Sequence, residues 1–141
     1  FDRIVFHAVS FIWKDLAWLV TAPSGTGKST HYCLWKLLCP DEIQIINGDK
    51  PIVYIENDEV FATTSPWAGK ENMSQRLTAK LGGIIVLEQS DSNEIFHCCA
   101  AFCADPLAGQ DTADSHKDNL HVQCKADMVY IVHIIDKLFF P

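Results

Sequence analysis

Arginine occurs only twice in the 141 residues, as Arg3 and Arg76, and acidic residues outnumber lysine plus arginine by 18 to 11, for a formal charge of -7. Binding along a nucleic-acid backbone normally needs a basic face, so this balance argues against nucleic acid as a partner. Long apolar runs are missing too. None approaches the roughly 20 residues that span a bilayer, and Phe1-Asp2-Arg3 lacks the charged-then-apolar order of a secretory signal. A cytoplasmic protein with no membrane partner is the expectation. No C-x-x-C pair occurs among Cys33, Cys39, Cys98, Cys99, Cys103 and Cys124. That spacing supplies neither the paired geometry of a structural zinc site nor a clear disulfide framework, and it predicts reduced, mostly buried thiols. Internal repeats and low-complexity tracts are absent as well.

What remains is 48% hydrophobic and of a length that builds one core, so residues 1–141 are expected to form one domain. The chain starts without Met and stops on Phe139-Phe140-Pro141. It is therefore expected to be a piece truncated at both ends.

The most informative stretch is Ala22-Pro23-Ser24-Gly25-Thr26-Gly27-Lys28-Ser29. The continuously apolar Leu16-Ala17-Trp18-Leu19-Val20 before it suits a strand buried on both faces, and residues 28–38 after it have helical periodicity. Strand, glycine-containing loop and helix in that order are the context of a phosphate-binding loop. Gly25 and Gly27 let amides turn inward, and the helix start adds unpaired N–H groups aimed at the same point. Lys28 would meet the outer phosphates and the Ser29 hydroxyl would hold Mg²⁺. The first motif position is Ala22 in place of glycine, a mild departure. A glycine-containing turn before a capped helix is the plain structural alternative.

Around this loop, residues 3–12 read as a strand, with a short turn at Trp13-Lys14-Asp15 leading to the strand that feeds the loop. His7 lies beside the loop if the two strands pair, although a lone strand histidine is usually structural. In the helix, Thr30, Cys33, Leu34, Leu37 and Leu38 predict one apolar face with Trp35 at its edge. Ile43-Gln44-Ile45-Ile46 reads as a strand that delivers Asn47-Gly48-Asp49-Lys50-Pro51 to the end of the sheet. Asp49 is the best-placed acid to complete a metal site or accept a proton, and a simple Gly-Asp turn is its alternative. Glu56-Asn57-Asp58-Glu59 reads as a solvated hairpin tip between strands at 51–55 and 60–64.

The segment Ser65-Pro66-Trp67-Ala68-Gly69-Lys70-Glu71-Asn72 has the composition of a loop that closes over a ligand. Trp67 serves equally as a core anchor and Lys70 as a surface charge, and spacing does not separate these readings. Residues 81–88 and 94–99 read as strands, with His97, Cys98, Cys99 and Cys103 read as buried groups and not as a zinc site. Residues 104–119 read as a loop. Met128, Ile131, Ile134, Ile135 and Leu138 have helical spacing and predict a closing helix. His116, His121 and His133 are too far apart in sequence to argue as one site.

Several stretches together carry a family resemblance: Phe6-His7, residues 21–31, Leu34-Trp35, Ile46-Asn47-Gly48-Asp49-Lys50-Pro51, Pro66-Trp67-Ala68-Gly69-Lys70 and Leu87-Glu88-Gln89 with Asn93. In this order they resemble the HPr kinase/phosphorylase and phosphoenolpyruvate carboxykinase class of P-loop proteins, and among them the small bacterial HPr-serine-kinase-like ATPases. The resemblance implies an α/β P-loop core with a mixed β-sheet and flanking helices. It implies ATP and Mg²⁺ held by Ser24, Gly25, Thr26, Gly27, Lys28, Ser29 and Thr30, with Ser29 and Asp49 at the metal. It also implies transfer of the γ-phosphoryl group to an unidentified hydroxyl on a protein or small molecule, with Asp49, His7 and Lys28 as the catalytic set. The class commonly carries two adjacent acids where this chain has Gly48-Asp49, so one acid is replaced by glycine. A nucleotide-binding regulatory module without catalysis is one alternative. Carboxykinase chemistry is the other, and two separated arginines supply no cluster to hold a dicarboxylate.

Overall fold

Residues 3–98 and 129–135 are described by the computed structural model. They form a mixed α/β structure of nine strands and one helix. The strands are β1 (Arg3–Val5), β2 (Val9–Trp13), β3 (Leu16–Thr21), β4 (Gln44–Asn47), β5 (Ile52–Glu56), β6 (Glu59–Thr63), β7 (Thr78–Ser90), β8 (Glu94–Cys98) and β9 (Val129–Ile135), and helix α1 is Lys28–Leu38. No helix among the described residues is long and apolar enough to cross a membrane.

β7 joins the two parts of the sheet. Its first residues pair antiparallel with β6, the middle runs parallel to β3 and the far end runs parallel to β9. The path β1-β5-β6-β7-β3-β2-β4 places the strand that feeds the 22–29 loop between β7 and β2. Side chains of consecutive strand residues point to opposite faces, so a strand covered on both sides fills two cores. In β3, Ala17 and Leu19 enter one cluster with Ile46, Val53, Ala62 and Leu81. Val20 enters the other, with Phe11, Tyr32, Ile43, Ile85 and Leu87. The apolar run at residues 16–20 is continuous because both faces pack against a core cluster, with Leu16 and Trp18 partly buried and Ala17, Leu19 and Val20 fully so.

Two hairpins follow their turn chemistry. Lys14 and Asp15 adopt φ of 50° and 62° between β2 and β3, and Asn57 and Asp58 adopt 53° and 60° between β5 and β6. Two successive positive φ values are the twist-compatible two-residue turn, which Asn and Asp tolerate better than other non-glycine residues; Asp15, Asn57 and Asp58 fit that preference and Lys14 does not. The acidic tip at residues 56–59 is solvated as expected, and Glu59 pairs with Lys80.

Four expectations are corrected. Residues 3–12 are two strands, because β1 pairs with β5 whereas β2 pairs with β3 and β4. The α1 face that packs inward is Tyr32 and Trp35, with Cys39 just past the helix end, while Leu37 and Leu38 are 76% and 78% exposed and Cys33 is exposed too. Aromatic burial decides this rotation: Phe11 lies 5.9 Å from Tyr32 and 5.7 Å from Trp35, centroid to centroid, in tilted contacts that two leucines do not replace. Exposure of Cys33 and half-burial of Cys39 also overturn the expectation of buried thiols at these two positions. Finally, the closing helix is replaced over residues 129–135 by β9, whose run Val-Tyr-Ile-Val-His-Ile-Ile is β-branched throughout most of its length. The 104–119 loop, Cys99, Cys103, Cys124, His116 and His121 lie outside the described residues.

Asn47, fully buried at the end of β4, ties three segments together. Its amide nitrogen donates to the Ser65 carbonyl at 3.1 Å, and its Oδ1 accepts from the Asp49 and Lys50 amides at 2.9 and 2.8 Å. Ser10 Oγ donates to the Asn47 carbonyl at 3.2 Å. Removing a buried partner strands groups that each cost ~1–3 kcal/mol, so Asn47→Ala is expected to destabilise the fold by about 3 kcal/mol. Urea unfolding measures it, and a loss under about 1 kcal/mol contradicts this role.

Candidate functional site

The loop between β3 and α1 departs from ordinary backbone at both glycines. Gly25 has φ of 86° and Gly27 has φ of 111°, in the left-handed region that favours glycine. Gly27 is the helix N-cap, no side chain caps the helix, and no acid stands in its first turn. The first-turn amides and the positive end of the helix dipole are therefore directed at whatever occupies the loop. Lys28 Nζ folds back onto the Ala22 carbonyl at 3.0 Å and the Pro23 carbonyl at 3.5 Å. Partial burial pulls the Lys28 ammonium below the usual lysine range, and the Asp49 carboxylate works against that shift.

His7 reaches the site through the backbone between β1 and β2. Phe6 N donates to the Pro51 carbonyl at 2.9 Å and Ala8 N to the Asp49 carbonyl at 3.0 Å, so residues 6–8 run alongside residues 49–51. Thr21 Oγ1, at the end of β3, donates to the His7 carbonyl at 3.0 Å. His7 Nε2 then stands 3.4 Å from Asp49 Oδ1, in ion-pair range when the imidazole is protonated. Asp49 is in turn fixed by the Asn47 side chain described above.

The opposite wall is the 65–73 segment. Ser65, buried, donates from Oγ to the Lys50 carbonyl and accepts from the Trp67 amide at 3.1 Å. Gly48 N donates to the Met73 carbonyl at 2.8 Å. Gly69 adopts φ of 74°, and a Cβ there would lie 2.9 Å from Asp49 Cβ, so only a glycine lets this backbone press on the aspartate. At Gly48 a Cβ would lie 3.2 Å from both the Ala68 and Met73 carbonyl oxygens. Gly48 is thus part of how the segment packs. Trp67 is 55% exposed, which removes the core-anchor reading, and Lys70 lines the cleft.

A cleft of about 530 Å³ joins these parts. His7, Ser24, Gly25, Thr26, Gly27, Lys28, Ser29, Thr30 and Asp49, every site residue expected from the sequence, line it together. Sequence reasoning missed Asn47 and Gly69 as positioning residues and His31 and Leu34 as lining. An Asn two residues before an aspartate, whose side chain accepts from the amides that follow, was the available signal for the first. Among the described residues no group of three or more His, Cys, Asp or Glu side chains is arranged to hold a metal. A cation here would take one hydroxyl, one carboxylate, ligand oxygens and water, a donor set that suits Mg²⁺ and not zinc.

His31, in the first turn of α1, accepts a hydrogen bond at Nε2 from Trp35 Nε1 at 3.0 Å. Burial pushes the His31 imidazole below its ordinary 6.5. A histidine with a lowered folded-state value takes up its proton first in the unfolded chain, so its contribution is complete above about pH 6.5 and is lost as pH falls toward the folded value. Wild type is expected to lose stability between pH 7 and 5.5 at a slope of up to about 1.4 kcal/mol per pH unit from this group, and His31→Gln to lack that part. Thermal melts of both proteins across that range measure the difference; parallel curves contradict it.

No protein-family model and no curated protein matches the sequence. Among solved structures, the fold is similar to that of the HPr(Ser) kinase/phosphatase from Coxiella burnetii, with a TM-score of 0.52 and 13% sequence identity over 94% of this chain and 79% of that one. The likeness shows a distant relationship of fold, in a mixed α/β structure.

Proposed function

We propose that the chain is an ATP-binding P-loop domain that transfers the γ-phosphoryl group to a hydroxyl, with Mg²⁺ as the accompanying ion. The observation that carries this reading is the convergence of the 24–30 loop, Lys28, Asp49 and His7 on one cleft. The fold likeness to an HPr(Ser) kinase/phosphatase supports it. The loop amides and Lys28 offset charge on the phosphates. Ser29 and Asp49, which both line the cleft, would hold Mg²⁺, and the ion would supply charge neutralisation for the phosphates. Asp49, supported by His7, accepts the proton from the acceptor hydroxyl as its oxygen bonds to the γ-phosphorus and the bond to the bridging oxygen breaks, leaving ADP.

Incubation with γ-labelled ATP and hydroxyl-bearing acceptors tests transfer, expecting label on an acceptor and equimolar ADP. Gly69→Ala tests positioning. A methyl that displaces the Asp49 side chain is expected to cut turnover about 100-fold with the fold retained, because small misplacements of a reacting group have effects of that size. Unchanged turnover in that variant removes Gly69 from the account. The second reading, a nucleotide-binding regulatory module, is favoured by one observation: the crowding at Gly48 leaves Asp49 without an adjacent acid in the chain. Saturable Mg²⁺-dependent binding with no product in the labelling experiment selects it.

A further inference from the structure

Phosphates held by the 24–29 loop leave part of the cleft unassigned, and this part follows the helix. Lys28, His31 and Leu34 all line the cleft at intervals of three residues along α1. At about 1.5 Å rise per residue, Leu34 lies roughly 9 Å along the axis from Lys28. The helix start takes the negative charge, while the next turn and a half offers an aromatic ring and an aliphatic side chain, which suit an uncharged, flat group.

The His31 ring has a defined tautomer. An indole N–H can only donate, so the 3.0 Å bond from Trp35 Nε1 requires a lone pair on His31 Nε2. A neutral imidazole with a lone pair on Nε2 carries its proton on Nδ1. The indole that sets the tautomer is itself held, since the Trp35 ring packs 5.0 Å from Trp13 and 5.7 Å from Phe11. His31 is thus a fixed donor, where a solvated histidine would exchange between two forms.

We infer that His31 and Leu34 form the nucleoside subsite of the cleft, with His31 Nδ1–H donating to a ring or ribose acceptor of the nucleotide and Leu34 packing against the flat base. Trp35 is a positioning residue acting through His31. This inference rests on the phosphate reading of the loop.

Titration calorimetry with two probes, ADP with Mg²⁺ and inorganic tripolyphosphate with Mg²⁺, separates the two claims. His31→Phe keeps an aromatic ring and removes the donor. It is expected to weaken ADP about tenfold, the size of one lost hydrogen bond, and to leave tripolyphosphate within about twofold. Equal loss for both probes, or no loss for ADP, overturns the subsite. If wild type binds neither probe, the phosphate reading itself has failed, a result distinct from either of those. A variant-free readout is the imidazole ¹⁵N spectrum of the wild type. It should show His31 protonated on Nδ1, with that resonance shifting on addition of ADP and staying in place with tripolyphosphate. Protonation on Nε2, or equal shifts with both probes, contradicts the assignment.

Discussion

Lys28→Ala is expected to abolish measurable ATP turnover and to weaken Mg²⁺-ATP binding by about 100-fold, the scale seen when one preorganised charge-stabilising donor is removed. The lysine's geometry explains both effects. Its Nζ is parked on the Ala22 and Pro23 carbonyls, at the mouth of the loop where phosphate oxygens would sit. Exchange of two neutral acceptors for phosphate oxygens lets the ammonium form charge-assisted bonds. The shift imposed on it by partial burial is opposed by Asp49, so the cation and the acid share one electrostatic environment across the cleft. Stability should change little, because the side chain is not part of either core cluster. Calorimetric titration and a turnover assay measure the effect; a variant that binds and turns over ATP as the wild type does removes Lys28 from the site.

Asp49→Asn is the second large effect and separates binding from chemistry. The amide keeps the shape of the carboxylate, and the backbone bonds that hold residue 49 do not use its side chain: its amide donates to Asn47 Oδ1 and its carbonyl accepts from Ala8. Nucleotide affinity measured without Mg²⁺ should therefore stay within a few-fold. Transfer should fall by about 10³-fold, within the range for removal of a general base. Full activity in the variant makes Asp49 dispensable as base. Loss of binding equal to loss of turnover assigns it to the ground state instead.

The strand, loop and helix around residues 16–38 were legible because each is set by local pattern: an apolar run, two glycines in left-handed backbone, then an amphipathic repeat. The placement of His7 against Asp49 was legible only through family resemblance and a guessed pairing. It depends on amides of residues 6 and 8 meeting carbonyls of residues 51 and 49, contacts separated by more than forty positions. Helix rotation was misjudged because counting apolar residues gives Leu37 and Leu38 the same weight as Tyr32 and Trp35, whereas ring contacts with Phe11 decide the buried face. The closing helix was misjudged for a related reason. The run Val129–Ile135 is almost wholly apolar and shows no alternation, so isoleucines at positions 131, 134 and 135 match a helical repeat by chance while β-branching indicates a strand. The roles of Asn47 and Gly69 are set by packing between the 47–50 and 65–73 segments and have no local signature beyond turn composition.

A structure of the protein with a non-hydrolysable ATP analogue and Mg²⁺ tests the central claim most directly. The account predicts the β- and γ-phosphates inside the 24–29 loop, Lys28 Nζ moved from the Ala22 carbonyl to a phosphate oxygen, and the γ-phosphorus facing Asp49 and His7. Phosphates bound elsewhere, or a γ-phosphate turned away from Asp49 with Lys28 still on the carbonyls, would contradict it.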